Sequence, residues 1–589
     1  MRSEPIRAKG GIMNNTDIAG IFEHMANFLE IKGENPFKIR AYRRAAQVIE
    51  HLPRELAVML AAGEDLKSLP GIGQAIAAKA EELVRTGRLA AWETLRGSLP
   101  EGLSELLEIP GIGPKTAFRL ASELGISSVD ELERAIRQGK VASLFRLGDR
   151  TADNLLHQIE SLRRKDQRIP LGRALPLVED VLSMLRPLPG VKNLVAAGSL
   201  RRFRETVGDI DLMGTADYPE QVIRSFVSLP AVRDVLGQGP TKASVILADG
   251  LQADLRMVEH EAFGSLLQYF TGSRQHNIAL RARNQKRGLK LSEYGITDAS
   301  TGRLETFATE EDFYARLGMQ YIPPEIREDY GEIELAATHA LPELVERSDI
   351  RGDLHVHTHW SDGTASLESM AQAAKEAGYA YLAITDHSGG LGIAGGLHED
   401  RLLKQQQAIH ELNQQIEGIR LLTGIEVNIM SDGRLDLPDE ILSGLDVVVA
   451  SIHSSLNQSE GKMTRRILKA LENPHVDILA HPTGRLIGKR EPIAVDLEAV
   501  FSAAAQYRKV LEINSMPDRL DLKDNFIYRA RELGVLLAIN TDAHRPEHFE
   551  LIRFGIGMAR RGWCRPSSIL NTRSVDEVLA HFRQGNTSR

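Results

Sequence analysis

The 589-residue chain is longer than one hydrophobic core organises, and units of ~100 to 200 residues predict three to five domains. Its 42% hydrophobic and 26% charged content excludes a disordered or fibrous class, and a net charge of −8 excludes a chain that is basic throughout, so any nucleic-acid surface is local. The single cysteine, Cys564, excludes an intrachain disulfide and suits a reducing interior, while the lack of an 18-residue apolar run or an apolar h-region argues against a membrane span or signal peptide.

In chain order, residues 1–12 read as a flexible leader. From 15 to 60 the apolar residues Ile18, Ile21, Phe22, Met25, Phe28 and Leu29 recur near every 3.6 positions, and a second helix is expected over 39–49 after the Asn35-Pro36 start signal. LPGIGQAIAAKAEEL at 69–83 and IPGIGPKTAFRLASEL at 109–124 form an internal repeat, with a degenerate third copy at 144–159. In each full copy a Pro-Gly-x-Gly turn opens an amphipathic helix, so N–H groups at Gly71, Gly73, Gly111 and Gly113, with Lys115 alongside, suit the DNA backbone; plain helix packing is the alternative. Two basic clusters, Arg163, Arg164, Lys165, Arg168 with Arg173, and Arg281, Arg283, Lys286, Arg287 with Lys290, are DNA faces or solvated faces.

NPFKIRAYRRAAQVIEHLP and LPGIGQAIAAKAEELVRTGRL resemble the small lyase-type domain of the family X DNA polymerases. The resemblance implies that Lys79 matches the lysine that forms a Schiff base with an abasic sugar, although Ala75 replaces a second lysine of those enzymes; simple phosphate binding is the alternative role.

Residues 175–186 read as a helix, and VKNLVAAGSL from Val191 as a strand entering GSLRRFRETVGDID at 198–211. Positions n and n+2 of a strand face one way, so Asp209 and Asp211 can bring two carboxylates to one metal centre; a solvated strand end is the alternative. Gly198 and Ser199 supply a tight turn for a triphosphate, with Arg201 and Arg202 offering charge-assisted contacts. After a helix over 218–229, strands near 242–247 and 251–258 follow, and Asp254 on the second completes a minimal two-metal phosphoryl-transfer site. The arrangement is similar to the family X nucleotidyltransferase palm. That likeness implies Mg²⁺ or Mn²⁺ bridged by Asp209 and Asp211, with Asp254 on the primer side and Ser199 and Arg202 on the phosphates. It also implies that the YFTG turn, Tyr269, Phe270 and Gly272, lies beside the nucleotide sugar, and that Asn277 and Arg281 reach the minor groove from one helix face.

The last part opens with DLHVHTHWSDG at 353–363, where His355 and His357 share a strand face and Asp362 follows in the loop. His387, Glu426, His453, His481, Asp542 and His544 recur after short apolar strands, with helical segments at 367–377 and 399–415 between them. Ligands at successive strand ends are the pattern of a β/α barrel. These motifs resemble the polymerase and histidinol phosphatase (PHP) domain, a distorted (β/α)7 barrel that carries up to three metals and cleaves phosphoesters. All nine of its ligands are matched by the residues just named, and their imidazoles suit Mn²⁺ or Zn²⁺. His359 has no ligand role, and Arg485 is expected beside the departing phosphate.

The expected architecture is multidomain: a helical lyase-like domain with helix-hairpin-helix at 13–98, a helix-hairpin-helix, fingers-like domain at 99–170, and an α+β palm at 171–262. A nucleotide- and minor-groove-contacting subdomain at 263–320, a docked or extended connector at 321–349, where Pro323-Pro324 disfavours a regular element, and the barrel at 350–589 complete it. The expected function is a DNA polymerase that fills short gaps in repair, with metal-dependent 3′–5′ exonuclease or 3′-end phosphoesterase activity in the barrel. Its partners would be gapped or nicked DNA, dNTPs and repair proteins, but no membrane, and it would be a cytoplasmic, nucleoid-associated monomer. The alternatives are a barrel phosphodiesterase or phosphatase whose polymerase half clamps DNA, and a non-enzymatic scaffold at DNA ends.

Overall fold

Apolar residues three and four apart set Ile18, Phe22, Met25 and Leu29 of helix α1 (Asn15–Ile31) in one buried core with Tyr42, Ala45 and Ile49 of α2 (Pro36–Glu50). The structure, a computed structural model, describes residues 15–50, 52, 56–69, 71–100, 102–107, 109, 112–141, 155–156, 159, 168–390 and 395–587. The leader, Gly111, residues 163–165 of the first basic cluster and nearly all of the third repeat lie outside them. The chain divides into two units, residues 1–167 and 168–589.

In the first unit the described part of each full repeat shows the expected helix after its second glycine. Gly73 (φ −82°, ψ 167°) and Gly113 (φ −81°, ψ 165°) precede α3 (Gln74–Thr86) and α4 (Pro114–Leu124), and left-handed Gly87 and Gly125 end those helices. No side chain caps either helix start, which leaves the first N–H groups without an intrahelical or side-chain acceptor.

The first helix of the second unit, α5 (Leu171–Leu185), starts before the expected position 175 because Leu171 and Ala174 are buried, although Pro176 supplies no N–H. Strands β1 (Val191–Ala196), β2 (Asp209–Ala216), β3 (Val232–Gln238), β4 (Lys242–Leu247) and β5 (Gln252–Met257) form a sheet in the order β1-β2-β5-β4-β3. Helices α5 and α6 (Pro219–Val227) share its core through Val178, Leu182, Val222 and Phe226. β2 and β5 run parallel in a register that pairs Asp211 with Asp254.

Helices α7 (Phe263–Thr271) and α8 (Arg274–Gln285) lead to a three-stranded sheet within 289–305. The 321–349 connector is docked and partly regular: it holds a 3-10 turn at Pro324–Ile326 and α9 (Glu332–Ala337). Its Ile322, Ile326, Ile333 and Leu344 are buried with Leu280 and Leu317, and that apolar face draws the chain back against the preceding subdomain.

Seven parallel strands then follow in sequence order: β6 (Gly352–Val356), β7 (Tyr381–Ile384), β8 (Arg420–Asn428), β9 (Val447–Ser451), β10 (Ile478–Leu479), β11 (Val510–Asn514) and β12 (Leu537–Asn540). A bridge between Val356 and Ala543 brings the last strand back to the first. Helices α10 (Leu367–Glu376), α11 (Glu399–Asn413), α12 (Glu460–Leu471), α13 (Leu497–Tyr507), α14 (Asp524–Glu532) and α15 (Ile552–Arg561) belong to the same domain. With every strand pointing the same way, all strand C-termini open on one rim, where a barrel of this kind places its chemistry.

Candidate active sites

In the palm, Gly198 and Asp211 fit each other closely. Gly198 has φ +59°, and a Cβ there would sit 2.6 Å from Asp211 Oδ2, so glycine is required both by the backbone and by the carboxylate packed over it. Asp254 lies across the strand pair from Asp211, and Asp209 is two residues earlier on the same face. Burial first, then the charges of Asp209 and Asp254, push the Asp211 carboxyl up to about 7 against the pull of Arg256 and Arg202. Three acids converging on a half-buried strand pair repel one another unless a cation is shared. Ser199 Oγ is buried beside them with no hydrogen-bond partner, as fits a hydroxyl that waits for a phosphate oxygen.

The other expected nucleotide contacts are differently engaged. The Arg202 guanidinium is buried and donates to the Thr271 carbonyl and, at 3.2 Å, to Glu328 Oε1. Arg201 donates to Thr271 Oγ1 at 2.7 Å and to Glu310 at 2.6 Å. Both arginines therefore tie the Gly198 turn to the YFTG turn, where Gly272 follows Thr271. Tyr269 and Phe270 pack edge to face at 5.3 Å, with Arg281 over the first ring and Arg256 over the second. Asn277 donates to the Tyr269 carbonyl at 2.8 Å and accepts from Gln268 at 2.9 Å, which holds the YFTG helix to α8. Arg256 and Gln252 were not singled out from sequence. They flank Asp254 at n+2 and n−2, and strand periodicity places both on its face, where Gln252 donates to Asp254 at 3.2 Å. In the first unit, Lys79 Nζ donates to the Ala75 carbonyl at 3.2 Å, Lys115 is exposed, and Gly71 packs on Arg44.

All nine expected barrel ligands meet at the rim. Among the described residues, three groups have donor atoms within 4.8 Å of one another: His357, Asp362, His387 and His544; His355, His357 and Asp542; and His387, Glu426 and His453. All three lie in the barrel, and the palm triad is more widely spaced. His481 joins through a 3.2 Å approach to Glu426. His355 Nε2, both ring nitrogens of His357 and His387 Nδ1 are buried without hydrogen bonds, although carboxylate oxygens approach to between 2.8 and 3.8 Å. Donors that crowd together without bonding one another are the disposition expected around shared cations, and the mixed imidazole and carboxylate set fits a multi-metal centre. Burial opposes ionisation of Glu426 and Asp542, but the surrounding histidines outweigh it and hold both carboxyls well below their usual range. His481 (φ +27°) and Asp542 (φ +54°) keep left-handed backbones, strain that accompanies ligand positions.

Outer partners set the ring orientations. Glu512 accepts from His355 Nδ1 at 2.7 Å, Asn428 Oδ1 meets His453 Nδ1 at 2.8 Å, and the Asp542 carbonyl meets His544 Nδ1 at 2.8 Å, so each leaves Nε2 for the centre. Neither Glu512 nor Asn428 was expected from sequence; position n+2 from Glu426 is the only signal for Asn428. His359 is exposed; its Nδ1 meets the Ala365 carbonyl at 3.3 Å and its ring stacks on Trp360, outside the three donor groups. Arg485 does not face the centre. It donates to the Arg519 and Leu520 carbonyls and, at 2.8 Å, to Glu205 of the palm. Phe203 of the palm packs so closely on Gly557 of α15 that a Cβ there would lie 2.1 Å from the ring.

The parts match known families. Residues 13–89 match the helix-hairpin-helix domain, 103–161 the SAM-like helix-hairpin-helix tandem, 266–328 the DNA polymerase beta thumb and 353–516 the PHP domain. A Bacillus subtilis (strain 168) protein named DNA polymerase/3′-5′ exonuclease PolX is 40% identical over 576 residues, 98% of this chain and 100% of that protein. The chain belongs to the family X DNA polymerases with a PHP domain. The barrel of this family X chain also resembles probable phosphatases: one of Thermoanaerobacter sp. (strain X514), 34% identical over 39% of this chain and 94% of the relative, and one of Caldanaerobacter subterraneus subsp. tengcongensis, 32% identical over 40% and 94%.

Proposed function

We propose that this family X chain fills short gaps in DNA at the Asp209, Asp211 and Asp254 site and removes 3′ nucleotides or 3′ end groups at the barrel centre. The observation that carries the reading is the pairing of Asp211 with Asp254 under the Gly198–Ser199 turn, in a chain that also keeps all nine barrel donors. The carboxylate-only palm suits Mg²⁺ or Mn²⁺, and the imidazole-rich barrel suits Mn²⁺ or Zn²⁺, up to three ions. When bound, such ions neutralise phosphate charge and activate the attacking oxygen.

The chain's own groups do the placing. Asp254 serves the primer side, Asp209 and Asp211 face the triphosphate, and the Ser199 hydroxyl and turn N–H groups receive its outer oxygens. Arg201 and Arg202 hold that turn against Thr271, with Tyr269, Phe270 and Gly272 beside the sugar. Arg281 faces the minor groove, and Asn277 fixes the helix that carries it. Gly71, Gly73, Gly111, Gly113 and Lys115 grip the DNA backbone, and Lys79 is the candidate lyase nucleophile, to be trapped by borohydride on an abasic end in the wild type but not in Lys79→Ala. Substrates are gapped or nicked DNA and dNTPs. Among the described residues no helix is long and apolar enough to cross a membrane, and we place the protein as a nucleoid-associated cytoplasmic monomer that works with other repair proteins.

The test supplies gapped DNA with a labelled primer, dNTPs and Mg²⁺ or Mn²⁺. Asp209→Ala should lose extension and keep 3′ hydrolysis, and His355→Ala the reverse; hydrolysis that survives in His355→Ala overturns the barrel assignment. The likeness of the barrel to probable phosphatases favours a second reading, removal of a 3′ phosphate, which a 3′-phosphorylated primer separates from nucleotide removal.

A further inference from the structure

An open groove of about 530 Å³ runs along α12, outside the metal donors, between that helix and the loop at Ser431 and Asp432. Lys462, Arg465 and Lys469 line it, spaced three and four residues apart on one helix face, with neighbouring side-chain bases about 5–6 Å apart. In the same domain the exposed Arg420 and Arg434 and the half-buried Arg529 and Arg553 each meet a carboxylate. Among the described residues Lys462 and Arg465 have no such partner. Asp432, an acid in the lining, is engaged by Arg434 at 2.7 Å, and Lys469 Nζ donates to its main-chain oxygen at 3.2 Å. Glu472 is the other acid there, so cations outnumber acids along the wall.

The floor joins this groove to the metal centre. Arg466 is buried and donates to the carbonyls of Ile429 and Ser454, three residues after Glu426 and one after His453. One guanidinium thus braces both ligand-bearing loops from the groove side.

We propose that this groove is a phosphodiester subsite that holds the backbone of a single DNA strand whose 3′ end lies at the barrel centre. The three cations pair with successive phosphates, and Arg466 keeps the track in register with the ligands. The inference rests on the phosphoesterase reading above and adds to it the route by which a strand, rather than a small phosphoester, is held.

The test uses the full chain with Mn²⁺, single-stranded oligothymidylates of increasing length and bis(4-nitrophenyl) phosphate, comparing wild type with Lys462→Glu/Arg465→Glu. KM of the wild type should fall with oligonucleotide length until the strand reaches α12. In the variant KM for long strands should rise about tenfold, with a shallower salt dependence. The small ester, too short to reach the helix, reports on the centre itself. Wild-type length dependence retained by the variant overturns the proposal. Should the unaltered chain hydrolyse neither substrate, the phosphoesterase reading falls first, and a thiothymidine photocrosslink near the 3′ end decides the groove separately: attachment within 462–469 supports it, and attachment only elsewhere overturns it.

Discussion

Arg561, the last residue of α15 in the barrel, donates from Nη1 to the main-chain oxygen of Arg202 in the palm at 2.7 Å. The same nitrogen meets Glu328 at 3.1 Å, and Asp524 holds the other side of the guanidinium at 2.6 Å. Arg202 itself reaches Glu328 and the Thr271 carbonyl. Four charged groups with their mutual bonds therefore join the turn after Gly198, the thumb and the barrel in one buried cluster.

Removing Arg561 leaves Glu328 and Asp524 buried with fewer cations, a defect of about 3–5 kcal/mol in comparable buried pairs. Arg561→Ala should lower the unfolding midpoint of the 168–589 unit and raise KM for dNTP in primer extension, since the turn at Gly198 loses its support. Lysine keeps the charge without the planar fork, so Arg561→Lys should recover part of the stability and little of the positioning. A dNTP KM unchanged in both variants contradicts a positioning role.

The same cluster predicts an acid-sensitive interface. Burial alone would raise the Glu328 carboxyl, but Arg561, Arg202 and Arg204 outweigh it and hold it at about 2, below its ordinary 4.5. A carboxyl depressed in the folded state stabilises fully above its unfolded value, and the contribution is lost as pH falls through the folded one. The stabilisation is roughly 3 kcal/mol, present above about pH 5 and lost progressively toward pH 2. Urea unfolding across pH 2–6 should show this slope in the wild type, and Glu328→Gln should be less stable at pH 6 with a flatter acid limb.

Gly198→Ala combines a left-handed backbone with a clash 2.6 Å from Asp211 Oδ2. The expected result is a loss of about 100-fold in primer extension, or ~2.7 kcal/mol, with hydrolysis at the barrel kept. Extension near the wild-type rate would mean that Asp211 has room to move and that the tight approach is not needed.

The acidic palm cluster and the histidine-rich barrel rim were both legible from residue type and spacing. Asp209 and Asp211 announce themselves by strand periodicity, and the barrel donors by recurrence after apolar strands, because a ligand set must be brought to one rim by the fold itself. Arg202, Asn277 and Arg485 were not legible in the same way. Their long polar side chains have several possible partners, and the ones they meet, Glu328, the Tyr269 carbonyl and Glu205, depend on packing between distant segments. The start of α5 and the regular elements within 321–349 were hidden for the opposite reason: Pro176, Pro323 and Pro324 are strong local signals, and burial of Leu171, Ile322 and Ile333 overrides them.

Glu512, invisible from spacing, provides the last test. Its carboxylate accepts from His355 Nδ1 at 2.7 Å and also from the His481 main-chain N–H at 2.8 Å, so one buried acid orients two rim histidines. Such a partner sharpens the basicity and direction of the ligand nitrogen, and its loss typically weakens metal binding 10- to 100-fold. Glu512→Gln keeps the shape but offers an amide in place of the anion. Calorimetric titration of the metal-stripped protein with Mn²⁺ should show that weakening in the tightest barrel site. Primer extension should stay near wild type because Asp209, Asp211 and Asp254 lie in a separate sheet. Unchanged Mn²⁺ affinity in the variant would show that Glu512 holds the strand ends together without setting the ligand field.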